Sequence, residues 1–173
     1  MRPTIIRVAR SSEDFSAFAS LIGEYVDWSK DRWSDFGTAV DDFFDKQSLN
    51  DELASLSTAY TTPNGLALLA FEGEVAIGCA ALRRLDERIC EMKRVFVPPR
   101  NQRTATGRRL CQELISQAKS QSFSVMLLDT DTRSFEAIGL YESLGFVHCK
   151  PYIEYPPQFA PYMIFMELSL RSA

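Results

Sequence analysis

Three apolar runs crowd the middle of this chain: LALLAF (66–71), VAIGCAALR (75–83) and ICEMKRVFV (89–97). The links between them, EGE and LDER, are far too short for a crossover helix, which needs a dozen or more residues. The runs are therefore expected to be neighbouring antiparallel strands, and a meander becomes the centre of the fold.

The flanking segments alternate between strand and helix patterns. TIIRVAR (4–10) reads as a first strand; Ser11 or Ser12 then caps a helix in which Phe15, Phe18, Ile22 and Val26 recur at helical spacing. A second helical region covers roughly 39–56, and TTPNG is a loop. After the meander the pattern predicts a helix over 104–120, the strand VMLLDT, and a helix over 134–144. Gly145 stops that helix, being suited to the left-handed position past a C-terminus. FVHCK and YMIFMELSL close the sheet. The order β-α-α-β-β-β-α-β-α-β-β predicts an α/β fold, a mixed sheet flanked by helices.

The 173 residues suit one domain, and the apolar and charged fractions (46% and 24%) are those of an ordinary globular chain. A net charge of −4 argues against nucleic-acid or anionic-membrane partners. No run of about 18 apolar residues marks a membrane span. MRPTIIRVARSSEDF lacks a signal-peptide core, so a cytoplasmic start is expected. Cys79, Cys90, Cys111 and Cys149 form no CxxC pair and His148 is the one histidine, so no metal site is expected. The thiols read as core residues. His148 and Cys149 are adjacent on a strand and point to opposite faces, which argues against a Cys–His nucleophile.

Charge is segregated. Residues 11–56 hold eleven Asp/Glu against three Lys/Arg, and residues 83–109 hold nine Lys/Arg against three Asp/Glu. Two solvated faces would give this pattern, and so would an anion site beside a cation-friendly lobe. QRTATGR (102–108) bears on the choice, because it follows a strand and opens a helix. Unpaired N–H groups and the dipole at a helix start bind phosphate. Ala105 and Gly107 are small enough to admit a pyrophosphate, with Arg103 and Arg108 adding charge. The segment is neither a Walker loop nor a dinucleotide fingerprint. Taken alone, it reads first as an exposed basic helix start.

These residues resemble the GNAT superfamily of acetyl-CoA-dependent N-acetyltransferases. That family carries V-x-P at a strand end, then Q/R-x-x-G-x-G/A; here Val97 is followed by Gln102-x-x-Ala105-x-Gly107. A second match, LLDTDTRSFEAIGLYESLGF (127–146), is similar to the family's strand–loop–helix ending in A-x-x-L-Y-x-x-x-G-F. The resemblance implies a GNAT-like single domain over 1–173, with an acetyl-CoA-binding core at 64–170 and a helical acceptor-side lobe at 11–56. It departs from the pattern at Ala105, where the family has glycine, and at Ser134, where many relatives have asparagine.

By that resemblance acetyl-CoA is the cofactor. Gln102, Arg103, Thr104, Ala105, Thr106, Gly107 and Arg108 would cradle its pyrophosphate, and Ser134 and Ala137 would line its arm. The backbone around Phe96 and Val97 would support the acetyl carbonyl where the strand splays. Tyr141 would protonate the leaving thiolate, although Ala137, Leu140, Tyr141 and Leu144 also form a core-facing helical stripe. Glu91 is the candidate base, six residues before Val97 and so expected on the same strand face; pairing with Lys93 or Arg84 is its other reading. Trp28, Trp33, Tyr152 and Tyr155 could cage a cationic acceptor, a small molecule or a peptide amine, or could simply pack the helices. Two readings follow: transfer of acetyl to an amine in a ternary complex, or a catalytically silent acyl-CoA-binding module. An exposed sheet edge would favour a homodimer.

Overall fold

The computed structural model describes residues 3–43, 46–102 and 104–171. Strand β1 (Thr4–Val8) leads into helix α1 (Ser12–Arg32), followed by α2 (Ala39–Phe43) and α3 (Lys46–Ala59). The meander is β2 (Gly65–Glu72), β3 (Val75–Arg84) and β4 (Ile89–Phe96). Helix α4 (Thr106–Ser120), strand β5 (Val125–Asp131), helix α5 (Phe135–Ser143) and strands β6 (Val147–His148) and β7 (Met163–Ser169) complete it. The described strands form one sheet in the order β1-β2-β3-β4-β5-β7-β6. Every pairing is antiparallel except β4 with β5.

The sheet is covered on both faces, which explains why its strands read as unbroken apolar runs instead of alternating ones. Leu66, Leu68 and Ala70 of β2 join Leu110, Leu114 and Tyr141 on the α4/α5 face. Ala67 and Leu69 join Phe18, Ile22 and Val26 of α1 on the other. Helix α1 starts with a full capping box: Ser11 Oγ accepts the Asp14 N–H at 3.2 Å, and Asp14 Oδ2 accepts the Ser11 N–H at 3.3 Å. Such a cap stabilises a helix start by about 1 kcal/mol.

Three expectations change in detail. The second helical region runs on past 56 to Ala59. Helix α4 starts at Thr106, not Thr104, because Ala105 sits in the left-handed region (φ 59°) as its N-cap. The FVHCK strand keeps only Val147 and His148, with the Cys149 N–H still donating to the Phe165 carbonyl at 2.9 Å. Gly145 does take the left-handed turn after α5 (φ 95°). Cys79, Cys90 and Cys111 are buried, and burial pushes their thiols up to about 12. Among the described residues no helix is long and apolar enough to cross a membrane, and no cluster of three His, Cys, Asp or Glu could hold a metal.

Candidate active site

Strands β4 and β5 run together for only three pairs, Ile89–Val125, Cys90–Met126 and Glu91–Leu127. Beyond them the two strands part, and a cleft of about 550 Å³ opens between residues 92–97, at and just past the end of β4, and residues 129–131 of β5. Backbone hydrogen-bonding groups on the facing edges are released from the ladder there. This opening passes through the sheet, so a molecule in it could be reached from both faces.

A bulge shapes the β4 side. Ala81 pairs with Lys93 and Cys79 with Phe96, so two steps on β3 face three on β4. Arg94 absorbs the extra residue in a left-handed conformation (φ 55°). The alternation of β4 therefore shifts. Cys90 and Met92 face the α4/α5 core and are followed there by Val95 and Val97, whereas Phe96 faces α1. The expectation that Glu91 shares a face with Val97 is corrected on this ground: counting by twos fails across a bulge.

Phe96 lines the cleft from the α1 side, and Val97, Gln102, Gly107, Ser134 and Ala137 line it on the α4/α5 side. Thr104, Ala105, Thr106 and Arg108 stand at the helix start next to it but outside its lining, and Arg103 lies outside the described residues. No side chain caps the start of α4, in contrast to the capping box of α1. Thr104 and Thr106 bond each other through their hydroxyls at 2.8 Å, and Thr104 also donates to the Asn101 carbonyl. Arg108 donates to Ser143, and Gln102 donates to the Val97 carbonyl at 3.0 Å. A methyl built on Gly107 would meet no protein atom nearer than Leu140 Cδ2 and Val97 Cγ2, both at 3.8 Å. The fold thus leaves bare backbone and open room on the helix start, which suits a pyrophosphate. Ser134 donates to Asp131 Oδ2 at 2.8 Å.

Tyr141 sits in the core stripe and in the cleft at once. It packs edge-on against Phe146 and is buried, yet it lines the opening. Burial pushes its phenol well above the ordinary range, with Cys111, Tyr25 and Asp129 adding to the effect. The proton is therefore retained through neutral pH. No described residue hydrogen-bonds this hydroxyl, and among the described residues no buried side-chain N or O lacks a partner, so the hydroxyl faces the cleft. It is a neutral donor aimed into the opening.

The other side differs most from expectation. Glu91 is fully buried and does not line the cleft. Its Oε2 accepts Arg83 Nε and Nη2 at 3.0 and 2.6 Å, and its Oε1 accepts the Tyr152 hydroxyl at 2.9 Å with Lys93 Nζ 3.6 Å away. Arg83, not Arg84, is the arginine partner. Trp28, Trp33 and Tyr155 line the cleft, but Tyr152 does not. The cations over the tryptophans are the chain's own: Arg32 lies 4.8 Å from the Trp28 ring and Arg133 lies 4.0 Å from the Trp33 ring. These arginines clasp α1 to the β5–α5 loop. Each donates to the other's backbone carbonyl, Arg133 also grips Asp35 at 2.6 and 2.8 Å, and Arg32 pairs with Glu136. The four aromatics are thus not gathered into one open cage.

Two groups in the cleft escaped the sequence reading. Arg94, turned by the bulge, forms a two-point pair with Glu52 of α3, and Tyr60 adds a bond to Glu52 Oε1 at 3.0 Å. Burial works to raise the Glu52 carboxyl, but the Arg94 guanidinium outweighs it and holds the group below the usual range. Asp129, on β5, accepts the Tyr155 hydroxyl on Oδ2 at 2.5 Å and has Lys93 Nζ 3.8 Å from Oδ1. The motif LLDTDT was read for its strand and not for this carboxylate.

The acetyltransferase (GNAT) family profile matches residues 24–146. An uncharacterized N-acetyltransferase of Schizosaccharomyces pombe is 32% identical over 174 residues, covering 98% of each chain. An acetyltransferase from Streptococcus agalactiae has a similar fold, with TM-score 0.75 at 18% identity over 98% of this chain and 99% of its own. So has an acetyltransferase from Salmonella typhimurium solved with its cofactor acetyl-CoA, with TM-score 0.68 at 22% identity over 99% and 96%.

Proposed function

This chain belongs to the GNAT family as an acetyl-CoA-dependent N-acetyltransferase, and from that premise we propose that it acetylates a primary amine directly, with both reactants bound together. Acetyl-CoA supplies an acetyl thioester when bound. A cleft passing through the sheet supports direct transfer, since donor and acceptor can approach the splay from opposite faces. Gln102, Thr104, Ala105, Thr106, Gly107 and Arg108 would hold the pyrophosphate at the α4 start, and Ser134 and Ala137 would flank the arm. The freed backbone near Phe96 and Val97 would steady the acetyl carbonyl. The acceptor would enter from the α1 side and the loop before β7, as a small molecule or a peptide end carrying an amine.

The observation that carries this reading is Tyr141: a protonated phenol with no described protein partner, facing the splay. A donor of that kind suits protonation of a departing thiolate. Tyr141→Phe is expected to lower kcat by about 100-fold, within the range for loss of a general acid, while the Kd for acetyl-CoA holds. CoA release with a panel of primary amines, beside a calorimetric titration, reads both. Unchanged kcat in the variant would remove Tyr141 from the chemistry.

A further inference from the structure

Counted by twos from Cys90 and Met92, residue 96 of β4 would face the α4/α5 core. The extra residue at Arg94 turns it over, so the Phe96 ring faces α1 while Val95 and Val97 take the core side. The bulge is tied down. Arg94 holds Glu52 through two hydrogen bonds, and its carbonyl accepts the Cys79 thiol at 3.3 Å. A left-handed arginine within a strand is a strained arrangement, and such strain collects where function requires a particular side-chain direction.

On the α1 side Phe96 belongs to a cluster. Its ring lies 5.6 Å from that of Tyr25, edge-on, and 6.1 Å from that of Trp28, and the Tyr25 and Trp28 rings are 6.4 Å apart. All three line the cleft. Tyr25 is hydrogen-bonded to Ser29, and Arg32 lies over the Trp28 ring at 4.8 Å. Phe96 itself is only 6% exposed. Rings packed in this way turn only if their neighbours move, so the three form a stiff wall.

The wall is one-sided. It closes the α1 side of the splay next to β4, whereas Tyr155 and Met163 border the opening next to β5. An acceptor entering by that second border leaves the wall in place. Phe96 is also the residue whose freed backbone would steady the acyl carbonyl, so its ring stands where the tail of the acyl group would run.

We propose that Phe96, held by Tyr25 and Trp28, sets the length of the acyl group that the cleft accepts, admitting acetyl and excluding butyryl and longer chains. The inference rests on the placement of the acyl carbonyl at residues 96 and 97 in the reading above. Each methylene beyond acetyl has to push into rings already in contact, and overfilling a packed site is unfavourable. One methylene in an apolar pocket changes affinity by about 10- to 200-fold. The lower end applies here, because a longer chain can bend toward the acceptor border while the rest of the cofactor stays bound.

Calorimetric titrations of acetyl-CoA, butyryl-CoA and free coenzyme A into wild type, Phe96→Ala and Phe96→Leu test the wall, with thermal melts to confirm folding. The wild type should bind butyryl-CoA at least about 10-fold more weakly than acetyl-CoA. Phe96→Ala removes the ring and should bring that ratio below about threefold, through tighter binding of butyryl-CoA. Phe96→Leu keeps an apolar group in the α1 core, should give an intermediate ratio, and carries the test if the alanine variant unfolds. A wild type that binds acetyl-CoA and butyryl-CoA alike would overturn the proposal, and so would a ratio left unchanged in the folded variants. Binding of none of the three ligands by the wild type would overturn the cofactor cradle and the wall together. Tight binding of coenzyme A with equal affinity for the two acyl forms would remove the wall alone.

Discussion

Gly107→Ala separates what the fold needs at the α4 start from what a ligand needs. Gly107 is in the first helical turn, and an added methyl would meet Leu140 Cδ2 and Val97 Cγ2 at 3.8 Å, ordinary van der Waals distance. No clash opposes the change, and alanine stabilises a helix over glycine by about 0.5–1 kcal/mol. For a domain of this size that is a rise in Tm of about 1–4 °C. The same methyl enters the cleft, where a pyrophosphate would approach the backbone. Displacing one charged hydrogen bond costs about 1.5–3 kcal/mol, which is about 10- to 100-fold in affinity. A thermal melt and a calorimetric titration of acetyl-CoA on the same variant read both effects. A protein that melts higher and binds more weakly is expected. Lower stability would mean that the fold itself requires the glycine. Unchanged affinity would mean that no phosphate approaches the backbone at 107.

The neighbouring position runs the other way: Ala105 holds a left-handed conformation that costs a residue with a Cβ about 1–2 kcal/mol, so Ala105→Gly should raise the unfolding free energy read from urea melts by up to about 1 kcal/mol after glycine's own entropy cost. Glu52→Gln should destabilise the fold by about 2–3 kcal/mol in urea melts. That is less than for a fully buried pair, because the Glu52 and Arg94 side chains keep 23% and 19% exposure. The same carboxyl sets an acid dependence. Its folded pKa is depressed, so its contribution is complete above the unfolded value of about 4.3 and is lost as pH falls through the folded one. Melts of wild type and Glu52→Gln below that pH should therefore converge; a constant gap down the acid range would contradict the assignment.

What was legible in the sequence was whatever local spacing controls. The short links EGE and LDER force β2, β3 and β4 into a meander, and Gly145 marks the end of α5 because only its backbone takes that turn readily. The bulge at Arg94 was not legible. An extra residue in a strand leaves no mark on composition, yet it moves Glu91 to the face opposite Val97. The Glu52–Arg94 pair joins residues 42 apart, and the Arg32–Arg133 clasp joins residues 101 apart, so neither leaves a periodic signal. That clasp also explains why the tryptophans misled: their faces attract cations, and the chain supplies its own. Asp129 was in plain view within LLDTDT, but its bond to Tyr155 joins residues 26 apart and leaves no local mark either.

The splayed strands and the uncapped start of α4 together would hold acetyl-CoA. A calorimetric titration of acetyl-CoA into the wild type and into Ala105→Glu tests it most directly, with thermal melts to confirm that the variant is folded. Micromolar binding by the wild type, abolished when a carboxylate stands at the helix start, is the predicted result. Equal binding by both proteins would contradict the cradle at 102–108, and no binding by the wild type would contradict the account of the cleft itself.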